Sequence, residues 1–312
     1  MTHDQRFVGI DVGKFEFHIH CLWSGLQKRF ANTALGHCDL IALLGDARDV
    51  MLALEPTGGC EWALWEALDT AGFIVRQVSA AHVRHFAHAT GTLAKTDPID
   101  AKMIARFIAF KPSAGRMLPA KKLRVLNVLV TKRNQLITMR KTLSCQIKQR
   151  GSTLVDDLDS QHMALLETQI THMDDQIRQT IQQDAQLDRK ASCLRSVPGV
   201  GPVLTSALIA GMPELGSISD KQAAALIGVA PLAKDSGRYQ GKRTIAGGRR
   251  WIRHILYQAA LVASYHNPVL KHFADRLRKA GKPHKVVITA VARKLITILN
   301  AICAQNRPWK AI

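Results

Sequence analysis

Phe7-Val-Gly-Ile-Asp-Val-Gly-Lys14 decides the reading of the first hundred residues. An apolar run that closes on a carboxylate and a glycine reads as a buried strand carrying Asp11 at or near its end. Outward from it, Glu16 to Leu22 reads as a second strand joined to the first at Gly13, Met51 to Leu54 as a short apolar strand, and Phe73 to Val78 as another. A helix is expected across Trp62 to Ala71, between the last two. Strands followed by helix–strand alternation predict an α/β domain, a mixed sheet with helices packed on it.

Four carboxylates stand out in that frame. Glu55 follows Met51 to Leu54 and precedes Pro-Thr-Gly-Gly, so it is expected at a strand end on the same sheet edge as Asp11. Asp97 and Asp100, in Lys95-Thr-Asp-Pro-Ile-Asp-Ala101, are three apart at the start of a helix, a spacing that puts both on one face. Thr96 or Asp97 is placed to cap that helix, with Pro98 in its first turn. Carboxylates converging from two strands and a helix repel one another unless divalent cations neutralise them, and hard oxygen donors favour Mg²⁺ or Mn²⁺. A pair of such ions can stabilise the attacking and leaving oxygens of a phosphodiester displacement. Each acid alone also has an ordinary reading: Asp97 as a cap, Asp100 as a helix-dipole partner, Glu55 as a solvated strand end.

Beyond residue 115 the pattern becomes helical. Leu123 to Ile147 and Leu158 to Leu187 hold almost no Gly or Pro, and Leu166, Ile170, Met173, Ile177 and Ile181 recur at threes and fours, as in a helical hairpin or coiled-coil arm. Ser196-Val-Pro-Gly-Val-Gly-Pro-Val-Leu204 sets Gly199 and Gly201 in a tight turn before the helical run Val203 to Ala210, the pattern of a helix-hairpin-helix whose helix N-terminal amides accept a phosphate. An ordinary glycine turn between helices is the other reading. Gly247-Gly-Arg-Arg-Trp-Ile-Arg253 opens a cationic helix in which Arg249, Arg250 and Arg253 are expected to contact phosphates, or else form a solvated basic face. Trp251 and Tyr257 are expected in the core. His82, His85 and His88 fall at threes without an accompanying acid or Cys and are read as a DNA-facing or partly buried face.

Charge points to a polyanionic partner. The 312 residues carry 43 Lys plus Arg against 24 Asp plus Glu, a formal charge of +19. Pro231 to Ile312 holds 17 basic residues and two acids, so most of the excess lies in the last quarter. Ala101 to Val155 has 13 basic residues and no acid, and Asp156 to Lys190 has eight acids and three bases, an abrupt change of sign between two arms. The six cysteines are scattered without a C-x-x-C pair, which argues against a zinc ribbon or disulfide scaffold and for a reducing compartment. Neither a signal peptide nor a membrane span is expected, the apolar stretches near the C-terminus being interrupted by Arg293 and Lys294.

Taken in order, G-I-D-V-G-K at Asp11, E-P-T-G at Glu55, K-T-D-P-I-D-A at Lys95 to Ala101, P-G-V-G at Pro198 and G-V-A-P at Gly228 to Pro231 resemble a DEDD transposase of the insertion-sequence one-ten family over nearly the whole chain. The apolar periodicity places a helical coiled-coil arm over 116–192, and the resemblance implies a RuvC-like, RNase H-type domain over 1–115 before it and a mainly helical transposase domain over 193–312 after it. It implies a Mg²⁺-binding tetrad of Asp11, Glu55, Asp97 and Asp100, and a nucleophilic serine matched by Ser236 in Lys234-Asp-Ser-Gly-Arg-Tyr-Gln-Gly-Lys-Arg243, with Thr244 as the other hydroxyl in reach of a slipped alignment. Taken alone, Ser236 reads as a turn residue. Arg238, Lys242 and Arg243 nearby would stabilise charge on a phosphate under attack. The family further implies donor and target DNA as partners and a non-coding guide RNA encoded by the element. The helical arm and the need to process two DNA sites at once point to a homodimer assembling to a tetramer, and the scattered cysteines fit a cytoplasmic, nucleoid-associated location.

Three other functions fit parts of the pattern. A structure-selective endonuclease would share the acidic site without a covalent step. A non-catalytic nucleic-acid-binding protein would leave four carboxylates in matching contexts to coincidence. A sugar-kinase-like ATPase would account for Asp11-Val-Gly-Lys14 and give the basic last quarter no role.

Overall fold

Strand β1 (Arg6–Val12) alternates, and the alternation sets the layers on either side of it. Val8, Ile10 and Val12 are buried on one face, while Phe7, Gly9 and Asp11 belong to the other. In the computed structural model, which describes residues 5–94, 96–233, 235–237 and 239–310, the chain divides into two compact units, Met1–Pro119 and Ala120–Ile312.

In the first unit β2 (Glu16–Cys21) pairs antiparallel with β1, and β3 (Gln27–Ala31) pairs antiparallel with β2. Helix α1 (Ala34–Leu44) follows, with Thr33 accepting a hydrogen bond from the amide of Gly36 at its N-cap. Strand β4 (Val50–Leu54) lies parallel to β1 on its other side; α2 (Trp62–Thr70) then leads to β5 (Ile74–Gln77), parallel to β4. The result is a five-stranded mixed sheet of order β3-β2-β1-β4-β5, the mixed sheet that the strand pattern predicts. Strand β3 and helix α1 extend it beyond that pattern.

One face buries Val8, Ile10, Leu52 and Leu54 against Leu40, Leu64, Trp65 and Leu68 of α1 and α2. The other buries Met51 and Ala53 under α3 (Ala80–Ala89) and α4 (Asp97–Phe110), through Val83, Ala87, Met103, Ile104, Phe107 and Ile108. Helix α4 lies directly on β1. A Cβ on Gly9 would fall 2.0 Å from the carbonyl oxygen of Ala101 and 2.3 Å from the amide nitrogen of Ala105, so backbone meets backbone there.

The second unit begins with two long helices, α5 (Lys121–Gln149) and α6 (Asp156–Gln182). They pack along each other through Leu136, Leu166 and Ile170, and ion pairs Arg133–Asp174 (2.5 Å) and Arg150–Asp159 join the basic helix to the acidic one. Helix α7 (Ala185–Arg195) starts afresh after Asp184, whose carboxylate accepts from the amides of Gln186 and Leu187. Leu126 and Val130 of α5 and Ile177 and Ile181 of α6 join one core with α7, α8 (Pro202–Gly211) and α9 (Asp220–Ile227). Between residues 231 and 245 the chain forms short exposed ladders: β6 (Pro231–Leu232) with β9 (Thr244–Ile245), and β7 (Asp235–Ser236) with β8 (Tyr239–Gln240). Helices α10 (Arg250–His266), α11 (Pro268–Lys279) and α12 (His284–Gln305) complete the unit.

Helix α12 is long and apolar enough to cross a membrane by length and composition alone. It is instead a core helix: Val287, Ile288, Val291, Leu295 and Leu299 have no exposure and pack among α7, α9, α10 and α11. Tyr257 packs on this core, as expected. Trp251 does not enter it. The residue is 38% exposed, and its ring covers Gly211, where a Cβ would meet ring carbons at 2.3 and 2.7 Å.

The contact at Gly9 is directly testable. Gly9→Ala should cost about 3 kcal/mol or more, because neither backbone can yield around an added methyl. Urea unfolding of the full chain followed by circular dichroism measures it, and an unchanged midpoint would show that α4 does not lie on β1 as described.

Candidate active site

The parallel register pairs Ile10 with Leu54, so Asp11 and Glu55 are the next residues at the carboxyl ends of neighbouring strands, on backbones about 4.8 Å apart. Alternation gives both the same face. Gly9 and Ala53 precede them by two on the side covered by α4. Helix α4 starts over this edge: Thr96 occupies the N-cap position without a side-chain hydrogen bond, Pro98 sits in the first turn, and Asp97 and Asp100 supply its acids. The capping role open to Thr96 is therefore not used. Lys95 lies outside the described residues.

His18 connects helix and sheet. It pairs across the strands with Asp11, and its Nε2 stands 3.7 Å from Asp97 Oδ2 and 3.5 Å from Glu16 Oε1. Glu16 is also held by Arg29 at 3.3 Å. His20, two residues further along β2, is buried, and that burial, with the nearby charge of Lys102, pushes its pKa below the usual histidine value. Neither histidine stood out in the sequence, where both sit inside a strand, and only alternation with Phe17 and Ile19 would have marked them.

The loop after Glu55 is pinned from below. Glu61, 3% exposed, accepts hydrogen bonds from the amides of Thr57 (3.2 Å) and Gly59 (2.9 Å), the hydroxyl of Thr57 (3.1 Å) and Nε2 of Gln77 (3.0 Å). Arg116 Nε donates in turn to Gln77 Oε1 at 2.8 Å. Among the described residues, no three His, Cys, Asp or Glu side chains are arranged to hold one ion as they stand. Register, shared face and hard oxygen chemistry nevertheless suit Asp11, Glu55, Asp97 and Asp100 to a divalent cation. His82, His85 and His88 lie along α3, and all three are exposed.

In the second unit Ser236 lies exposed in β7, paired with Tyr239 and followed by Gly237 at φ 54°. Arg238 lies outside the described residues. Asp235 and Arg243 form an ion pair at 2.6 Å that ties the ladder's two sides, and the amide of Gly241 donates to the same carboxylate at 3.2 Å. The hydrogen bond from Arg243 holds the Asp235 carboxyl below the usual carboxylate range, against a smaller opposing push from lost water. Lys242 and Thr244 are exposed on the same segment.

The three arginines at the start of α10 are used differently. Arg249 donates to Glu214 through both guanidinium ends (2.8 and 2.6 Å) and to the carbonyl of Gly211. Arg253 donates to the carbonyls of Gly228 and Gly247. Arg250 is exposed. Gly199 has φ 97° and lies against Ala263, where a Cβ would meet the Ala263 Cβ at 2.7 Å, so this glycine lets the turn approach α10. Gly201 is the N-cap of α8 and opens onto free space.

Comparison with known sequences gives this arrangement its class. Residues 8–150 match the profile of DEDD transposases of the IS110 type, and residues 191–275 match that of the IS116/IS110/IS902 transposase family. Over 98% of both chains, the sequence is 28% identical to a pilin gene-inverting protein of Moraxella bovis. It is 24% identical to the transposase of insertion sequence element IS1328 from Yersinia enterocolitica, over 96% of this chain and 97% of that one. An uncharacterized 42 kDa protein of insertion element IS900 from Mycobacterium paratuberculosis is 31% identical over half of this chain and 38% of its own length. The chain belongs to the IS116/IS110/IS902 family of transposases, and DNA transposition and recombination is its class of activity.

The arginine geometry separates two anchoring side chains from one left exposed. Arg249→Ala should destabilise the chain by about 2 kcal/mol, since it removes three guanidinium hydrogen bonds to a partly buried carboxylate and a carbonyl. Arg250→Ala should leave stability within about 0.5 kcal/mol and lower the salt slope of DNA binding by about one. Denaturation curves and salt titrations of both variants check this, and the reverse pattern would contradict it.

Proposed function

We propose that the first unit is an RNase H-like, RuvC-like catalytic domain whose Asp11, Glu55, Asp97 and Asp100 bind Mg²⁺, or Mn²⁺ in its place, and that Ser236 of the second unit is the nucleophile of a DNA recombinase. The observation that carries this reading is the placement of Asp11 and Glu55 in register on one face, with the first turn of α4 over them. A bound divalent cation would supply Lewis-acid stabilisation of phosphate and leaving oxygen.

The serine's part follows from its chemistry. Its Oγ forms a bond to phosphorus as the bond to the leaving sugar oxygen breaks, the hydroxyl proton passing to a base or to water while the leaving oxygen takes one up. The phosphoserine link keeps the energy of the broken phosphodiester, so strands are exchanged and rejoined without ATP. Ser236 is exposed beside a glycine, on a ladder fixed by the Asp235–Arg243 pair, which suits a group that must reach a phosphate. Lys242, Arg250 and Arg238 are assigned to phosphate binding together with the open N-terminus of α8 at Gly201. Gly199, Arg243, Arg249 and Arg253 support that surface through the contacts they already make.

Around this core the reading places a catalytic domain over 1–115, a coiled-coil arm over 116–192 and a transposase domain with a helix-hairpin-helix over 193–312. The partners are donor and target DNA, with an element-encoded guide RNA for which the same basic surface serves. Exposed Leu158 and Leu165 on the acidic helix, with exposed Leu154 just before it, favour assembly into a dimer and then a tetramer.

Denaturing electrophoresis of labelled element DNA tests the two chemical groups separately. The wild type should form a protein–DNA adduct. Ser236→Ala should form none, and Asp11→Ala should abolish both adduct and cleavage while still binding DNA. An adduct from Ser236→Ala but not from Thr244→Ala would move the nucleophile to Thr244. Cleavage without an adduct from any variant would make the chain an endonuclease.

A further inference from the structure

Asn32 joins the two loops that follow the strand-end acids. Its side-chain Nδ2 donates to the carbonyl of Gly13 at 2.9 Å, two residues beyond Asp11, and to the carbonyl of Cys60 at 3.1 Å, five beyond Glu55. Its backbone amide donates to the carbonyl of Phe15 at 2.8 Å, within the β1–β2 connection. One half-buried side chain thereby ties both loops to the start of α1.

The orientation of that amide is fixed by chemistry. Two carbonyl acceptors require both hydrogens of Nδ2, which leaves Oδ1 as an acceptor. His37 Nε2 stands 2.8 Å from Oδ1 and must carry the proton. His37 is 5% exposed and packs on the ring of Phe17, and burial pushes its pKa below the usual value, which favours the neutral ring. The turn that brings His37 back to Asn32 depends on Gly36, where a Cβ would fall 2.1 Å from the carbonyl oxygen of Ala31. Thr33 caps the helix between them.

We infer that Asn32, oriented by His37, is a positioning residue that sets the separation of the Asp11 and Glu55 loops and with it the affinity of the acidic site for its divalent cation. This inference rests on the proposed tetrad. Partners of ligand-bearing groups typically change metal affinity or activity by roughly 10–100-fold when removed, and Asn32 acts on two ligand-bearing loops at once.

The test uses Mn²⁺ alone as the probe, titrated into the full-length chain without DNA and read by electron paramagnetic resonance. Asn32→Asp keeps the shape but removes both N–H donors, and should weaken Mn²⁺ binding at least tenfold while circular dichroism and DNA affinity stay as in the wild type. His37→Gln, which keeps a donor toward Oδ1, should restore binding to within about threefold of wild type, whereas His37→Ala should not. If Asn32→Asp does not fold, His37→Ala is read in its place. Wild-type Mn²⁺ affinity in a folded Asn32→Asp or His37→Ala chain overturns the inference, as does a loss of stability with affinity unchanged. Asp11→Ala run in parallel separates the two claims. If it loses Mn²⁺ while Asn32→Asp does not, the tetrad stands and the clamp falls; if Asp11→Ala also binds as wild type, the tetrad itself fails.

Discussion

Helix α4 can lie on β1 only because residue 9 has no side chain. With the carbonyl of Ala101 and the amide of Ala105 filling the space a Cβ would take, the helix is seated at backbone distance from the central strand. That seat fixes where α4 begins, and so brings Asp97 to within 3.7 Å of His18 on the strand next to Asp11. The alternation that buries Val8 and Ile10 on the opposite face turns Asp11 toward the helix, and the register with β4 sets Glu55 beside it. The acidic edge is a consequence of sheet packing, and its two loops are closed by polar groups, half-buried Asn32 with buried His37 on one side and buried Glu61 on the other. Buried polar groups of this kind hold geometry because leaving any donor unmade is costly.

The second unit follows a different logic. Its core is a continuous set of aliphatic side chains from α5 through α12, with α12 at the centre, and the basic charge of the last quarter is carried around it. Part of that charge is spent on the fold. Arg249 and Arg253 donate to a carboxylate and three carbonyls, which fixes the start of α10 against Gly211, Gly228 and Gly247. The exposed cations Lys242 and Arg250 then stand on a scaffold that does not depend on them.

The sequence made the central strands and the acidic edge readable because apolar runs ending in a carboxylate carry both burial and position. Strand β3 was not readable: in Gln-Lys-Arg-Phe-Ala only Phe30 is buried, as suits an edge strand, so no alternation shows. Helix α1 hides for a related reason, since Gly36 and His37 share its buried face with Leu40 and Leu44 and weaken the apolar stripe. The short ladders around Ser236 bury nothing and leave no periodic signal. Arg249 was legible as a cation but not as an anchor, because Glu214 lies 35 residues away in sequence. Asn32 was invisible for the same reason, its acceptors being set by the fold 19 and 28 residues away.

The central claim is that the sheet edge and the first turn of α4 form one cation site. Anomalous diffraction from crystals of the full chain soaked in Mn²⁺ tests it most directly. The account predicts a peak at about 2.1 Å from carboxylate oxygens of both Asp11 and Glu55, with Asp97 or Asp100 completing the site from the helix. A peak that excludes Asp11 and Glu55, or none at saturating Mn²⁺, would contradict it.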